Sequence, residues 1–123
     1  MGEIDVKDSI LMSVKKQIGG IDPEEESPFD ADIILQINSV FGVLQQLGIG
    51  PREGFAIEDN TAAWSDFIGD DKVLNMVKPY MYARVKVAFD TPQSSAVVEA
   101  LNRQIAEYEF RMNVRVDPGK EKI

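Results

Sequence analysis

Between residues 30 and 47 the apolar side chains Ile33, Ile37, Phe41 and Leu44 recur at i, i+4, i+8 and i+11. Only a helix gathers that spacing onto one face. Ile34, Val40 and Leu47 widen the same face. Asp30 suits the N-cap and Asp32 adds negative charge to the first turn, where the helix dipole favours it. Gly48 suits the C′ position that ends a helix in a left-handed conformation. Gly42 lies inside the predicted helix and costs about 1 kcal/mol against Ala. It reads equally as a site of close helix approach or as a tolerated weak spot.

The same periodicity recurs along the chain. Lys7, Leu11, Val14 and Ile18, with Ile10 beside them, predict a helix over residues 4–18. Lys15 and Lys16 fall in its last turn, where cations complement the dipole, and Gly19-Gly20 supplies the stop. Residues 21–29 (IDPEEESPF) read as a loop. Residues 48–60 form the longest connection, and loops of about this length in compact domains are often functional. Within it Phe55 and Ile57 alternate with small or polar residues, as in a short extended piece. Asn60 or Thr61 is expected to cap a short helix over 62–68 that carries Trp64, Phe67 and Ile68, with Gly69 closing it. Trp64 reads as a core plug rather than a binding anchor.

Asp70 and Asp71 open the next predicted helix, which runs to about Phe89. Its stripe is Val73, Val77, Met81, Val85 and Ala88, with Leu74 and Tyr80 beside it. Pro79 removes a backbone hydrogen bond there. The apolar spacing continues through it, so one kinked helix is expected. Thr91 as cap and Pro92 at the first position predict a last helix over 92–114. Val98, Leu101, Ile105, Tyr108 and Met112 make its stripe, with Val97 and Phe110 at the sides. Glu99 with Arg103, and Glu107 with Arg111, are i, i+4 pairs on its outer face. Residues 115–123 (RVDPGKEKI) read as a flexible C-terminal tail. The fold class is therefore all-α: a compact bundle of four main helices plus one short helix, with residues 1–114 as a single domain and 115–123 as the tail.

The chain of 123 residues holds no cysteine and no histidine. Thiolate nucleophiles, disulfides, imidazole bases and the common zinc sites are thereby excluded. Formal net charge is −8, from 13 basic and 21 acidic residues. Tight DNA binding normally needs a basic patch, so no specific DNA affinity is expected. Residues 30–47 contain no Arg or Lys, which argues against a recognition helix there. Gly48-Ile49-Gly50 lacks the lysine of a phosphate loop. Glu24, Glu25 and Glu26 read as a solvated turn rather than a metal site. No apolar run reaches membrane-spanning length, and the N-terminus lacks the pattern of a signal peptide. No catalytic residue, metal site or cofactor is expected, and no enzyme.

Several segments in order carry a family resemblance. They are Ile10-Leu11-Met12-Ser13-Val14-Lys15-Lys16, then Asp30-Ala31-Asp32-Ile33-Ile34-Leu35-Gln36-Ile37-Asn38, and most strongly Leu44-Gln45-Gln46-Leu47-Gly48-Ile49-Gly50. Trp64-Ser65-Asp66-Phe67-Ile68-Gly69-Asp70, Val77-Lys78-Pro79-Tyr80-Met81-Tyr82 and Phe89-Asp90-Thr91-Pro92 follow. Over residues 8–114 the chain resembles the phage head–tail connector family, also described as DNA-packaging proteins. The family usually has another residue where this chain has Pro79. The resemblance implies a structural neck or adaptor subunit of a tailed phage or prophage. It implies a ring homo-oligomer of about twelve copies beneath the portal protein, since heterologous contacts that close a rotation make rings. Such a ring extends the DNA channel and docks the tail or a stopper or tail-completion protein. DNA passes through without specific binding, along a wall that acidic residues would keep from sticking. The implied location is the virion neck, with the host cytoplasm before assembly. The expected partner contacts are the loop residues Pro51, Arg52, Phe55 and Ile57 and the tail residues Arg115, Val116 and Asp117. The alternative is a nonstructural phage assembly chaperone or regulatory binding module.

Overall fold

In the computed structural model, which describes residues 4–89 and 92–116, the chain forms five helices. They are α1 (Ile10–Ile18), α2 (Asp30–Gln46), α3 (Trp64–Phe67), α4 (Asp71–Phe89) and α5 (Ser95–Val116). The all-α reading holds, with four longer helices and one short one. Helix α4 is central: it packs on α1, α2 and α5. Helix α5 lies antiparallel along α4, since Arg115 reaches Asp70 at one end and Glu109 meets Tyr80 and Arg84 further along.

The core gathers the expected stripes. Ile33, Ile37, Val40, Phe41 and Leu44 of α2 meet Val73, Val77, Tyr80, Met81 and Val85 of α4 and Ile10, Leu11 and Val14 of α1, all buried. Ala88, expected on the α4 stripe, is exposed instead. The helix runs unbroken through Pro79. From α5 only Met112 is fully buried, while Ile105 and Tyr108 are half-buried. Trp64 is a core plug, 2% exposed, with its Nε1–H donating to Ser13 Oγ at 3.0 Å.

Helix boundaries differ from expectation at several points. Helix α1 starts at Ile10, not residue 4. Ser9 caps it by accepting from the Met12 N–H at 3.2 Å, and its hydroxyl donates to the Asn60 carbonyl. The backbone ahead of it is pulled into pairing with residues 62–64. Ile10 N–H donates to the Ala62 carbonyl and Trp64 N–H to the Asp8 carbonyl, both at 3.0 Å. Asp30 is the first residue of α2 rather than its cap, which is Phe29. The Asp30 carboxylate is occupied by the Ser27 N–H and by Lys15.

The short helix is capped from Ala63, whose N–H is held by Asp66 at 2.9 Å. Asn60 and Thr61 are drawn elsewhere: the Asn60 carbonyl takes the Ser9 hydroxyl, and the Thr61 N–H and hydroxyl both bond Asp59. That helix ends at an extended Ile68, without a left-handed Gly69. Helix α5 starts at Ser95, because Ser94 accepts from the N–H groups of Val97 and Val98 through its hydroxyl and carbonyl. Pro92 precedes it, and the expected cap Thr91 lies outside the described residues. At its other end α5 continues past residue 114 through Val116.

Gly42 is exposed, and a Cβ built on it would have no neighbour within 4 Å. Within one copy it is a weak spot, not a packing notch. Gly42→Ala should therefore raise the unfolding free energy by about 0.5–1 kcal/mol. Urea denaturation followed by circular dichroism would read this, and a loss of stability would contradict it.

Candidate functional site

The longest connection is strapped to the body rather than free. Helix α2 ends at Gln46 with Leu47 as C-cap, and Gly48 takes a φ of +83°. Gly48 N–H then donates to the Gln45 carbonyl and Ile49 N–H to the Leu44 carbonyl. This is a Schellman closure, with buried Ile49 and Leu44 as its hydrophobic contact. Gln45 turns back so that its Nε2–H donates to the Arg52 carbonyl at 2.9 Å. Gly54 N–H closes a turn onto the Pro51 carbonyl. Gly50 has a φ of +90°, and a Cβ there would sit 2.4 Å from the Phe67 ring. The Gln-Leu-Gly segment is thus a device for folding the loop back over α2.

Beyond the turn, Phe55 packs between Phe41 and Phe67, with ring centroids 5.0 and 5.4 Å away. The Asn38 side chain then grips Ile57 at both backbone groups. Its Nδ2–H donates to the Ile57 carbonyl at 3.0 Å, and its Oδ1 accepts the Ile57 N–H at 2.8 Å. A side chain here does what a neighbouring strand would do, so the alternating Phe55 and Ile57 stay extended without a sheet. Asn38→Ala should leave both groups of Ile57 unpaired and cost about 1–3 kcal/mol. Amide exchange at Ile57 should quicken while the α2 amides of residues 40–44 stay protected. Unchanged exchange at Ile57 would mean that the loop holds without Asn38.

The expected contact residues thus divide. Ile57 is buried and Phe55 half-buried, both facing the core. Pro51 is half-buried and Arg52 exposed at the tip of the turn. Arg115 is exposed but already tied to Asp70, Nη2 to Oδ2 at 3.2 Å. The Lys72 N–H, followed more weakly by Arg115, holds the Asp70 carboxyl below the usual carboxylate range. Val116 ends α5, and Asp117 with the rest of the expected tail lies outside the described residues.

Two further features concentrate charge. Between α1, the 21–29 loop and residues 58–60 lies a cleft of about 490 Å³, lined by Glu24, Glu25, Asp30, Glu58 and Asp59 around Lys15. Lys15 is 2% exposed and its ammonium is already engaged. Among the described residues no three acidic side chains converge as a metal-holding group. Along the α4–α5 seam the Tyr80 hydroxyl donates to Glu109 at 2.7 Å, and Arg84 donates to both at 3.1 and 3.2 Å. Burial, then the Glu109 bond, pushes the Tyr80 phenol far up from its ordinary value. This network locks α5 onto α4. Neither feature aligns a nucleophile with a base, as covalent or acid–base chemistry would require.

What the molecule presents is surface. Leu35 of α2 is 65% exposed, and Phe110 and Val97 of α5 are 63% and 45% exposed. The sequence marked Val97 and Phe110 only as flanking positions and gave Leu35 no role. Its signal was available: Leu35 falls opposite the Ile33, Ile37, Phe41 stripe, in a stretch without charge. No helix among the described residues is long and apolar enough to cross a membrane.

A family model described as phage connector protein matches residues 10–119. Neither a search of curated proteins nor one of solved structures gives a match.

Proposed function

The chain belongs to the phage connector protein family, and we propose that it is the head–tail connector subunit of a tailed phage or prophage. Its role is structural. Copies form a ring under the portal protein that extends the DNA channel, and the ring's far side docks the tail or a stopper protein. The single observation that carries this reading is the family match, which runs from the start of α1 to beyond the end of α5.

The physical character of the chain supports it. A subunit with a net charge of −8 offers phosphate little to hold. The strapped 48–60 loop gives a rigid edge, with Arg52 at its tip and Phe55 and Ile57 as the anchors that hold it in place. Rigid edges lower the ordering cost of docking. We assign Pro51 and Arg52 to partner contact on that ground, and Arg115, Val116 and Asp117 as the helix end and segment next to it in the adaptor.

Native mass spectrometry of the protein, alone and mixed with the portal protein of the same phage, tests the reading. The expected result is a closed ring of about twelve copies, formed alone or on the portal as template, since weak single interfaces close only when many act together. A monomer or dimer that ignores the portal would overturn it in favour of an assembly chaperone or regulator.

A further inference from the structure

The buried core is nearly complete without α5. Among the described residues, every member of the buried apolar cluster but one falls between Ile10 and Val85, on α1 to α4 and the connections among them. The exception is Met112. Helices α1 and α2 pack on α4 and on one another, whereas the one substantial neighbour of α5 is α4. From Ser95 to Arg111 no residue of α5 is buried. Val97 and Phe110 stand exposed, and the stripe residues Leu101, Ile105 and Tyr108 are only half-buried.

The seam between α4 and α5 is thin on both flanks. One cleft, of about 420 Å³, opens between Val87 and Ala88 of α4 and Ile105 and Ala106 of α5. Another, of about 230 Å³, opens between Ala83 and Lys86 of α4 and Leu101 and Gln104 of α5. Apart from Met112, what fastens the helix is polar. The Tyr80 hydroxyl donates to Glu109, Arg84 donates to both, and Arg115 reaches Asp70. Both ion pairs are partly exposed, so water can take the place of each partner when the helix lifts. Elements with few buried apolar contacts and solvent-replaceable bonds occupy the low end of a protein's local stability.

We propose that α5 is a latch: it opens from α4 as one unit while α1 to α4 stay folded, and the Tyr80–Glu109–Arg84 cluster holds it shut. The polar cluster and Met112 act at the C-terminal half of the helix, so that half must let go for the latch to open. Opening frees the stripe of Leu101, Ile105, Tyr108 and Met112 and bares the α4 side it covered. The connection ahead of Ser95 keeps the released helix tethered to the body.

Native-state hydrogen exchange of the full chain, read by mass spectrometry in urea below the unfolding transition, tests this. Helix ends fray in any protein, so the amides to read are those of residues 101–110. Corrected for intrinsic rates, they should exchange at least about tenfold faster than the α2 amides of residues 37–44. Their exchange should quicken with added urea, by a smaller slope than that of 37–44, because opening exposes part of the surface that full unfolding exposes. Tyr80→Phe and Glu109→Gln keep the shape of each side chain and remove its part in the cluster. Each should speed exchange over 101–110 by about three- to tenfold. Glu109 is partly exposed, so its variant keeps the test open should the buried Tyr80 position prove intolerant. Equal protection of 101–110 and 37–44 at every urea concentration would overturn the latch, since α5 would then belong to one cooperative unit. Fast exchange over 101–110 that responds neither to urea nor to the variants would overturn it too, since only local fluctuation would remain.

Discussion

Trp64→Ala should cost about 3–5 kcal/mol of unfolding free energy, a large share of what a domain of this size possesses. The indole is 2% exposed and lies where three elements meet. Its ring centroid is 6.4 Å from that of Phe41 on α2 and 6.2 Å from that of Tyr82 on α4, the latter edge to face. Its Nε1–H donates to Ser13 on α1. Its own backbone N–H pairs with the Asp8 carbonyl beside the Ser9–Ala63 bridge. Truncation therefore opens a cavity between α1, α2 and α4 and leaves Ser13 Oγ with one partner fewer. Trp64→Phe keeps a ring but neither the full volume nor the donor, and should cost about half as much. Guanidinium denaturation followed by far-ultraviolet circular dichroism would measure both, because the variants lose the only tryptophan fluorescence. A cost for Trp64→Ala below about 1 kcal/mol would mean that the indole is not a core element, and its reading as a partner anchor would return.

The helices that periodicity marks best are the ones whose packing is decided by their own faces. Helix α2 shows this: Ile33, Ile37, Phe41 and Leu44 needed no knowledge of the rest of the chain. Gly48 was equally legible, since a left-handed C′ glycine is a local requirement. The missed features depend on residues far apart. Ser9 starts α1 late because its neighbours pair with residues 62–64, and the Ser9–Asn60 and Trp64–Ser13 hydrogen bonds each span 51 residues. Nothing in the sequence marks Asn38, yet its side chain bonds both backbone groups of Ile57, 19 residues away. Phe55 and Ile57, expected as partner contacts, face the core. The exposed apolar side chains were hidden for a different reason. Stripe counting marks what is buried within one copy, whereas Leu35 and Phe110 stand off the stripe.

Lys15 was partly legible and misread. Leu11, Lys15 and Ile18 fall at i, i+4 and i+7, so the lysine lies on the buried side of α1, not on the exposed side a dipole-complementing cation would use. In the fold its ammonium sits 2.8 Å from Asp30 Oδ1 and donates to the Glu25 carbonyl at 2.7 Å. The contact to Asp30 is one of charge: its geometry leaves the buried Oδ1 without a hydrogen bond, while Oδ2 accepts the Ser27 N–H. One side chain thus ties α1, the acidic loop and the first residue of α2.

Lys15→Ala should cost about 3–5 kcal/mol, because it strands a largely buried carboxylate and an unpaired carbonyl. Asp30→Asn added to Lys15→Met should recover much of that loss, since an unpaired charge is the dearer part and the methionine keeps the buried stem. Added salt should change the wild-type pair little, as a lysine 2% exposed is poorly screened. Chemical denaturation of Lys15→Met, Asp30→Asn and the variant carrying both gives the coupling directly. Coupling near zero would mean that Lys15 acts only as an apolar stem.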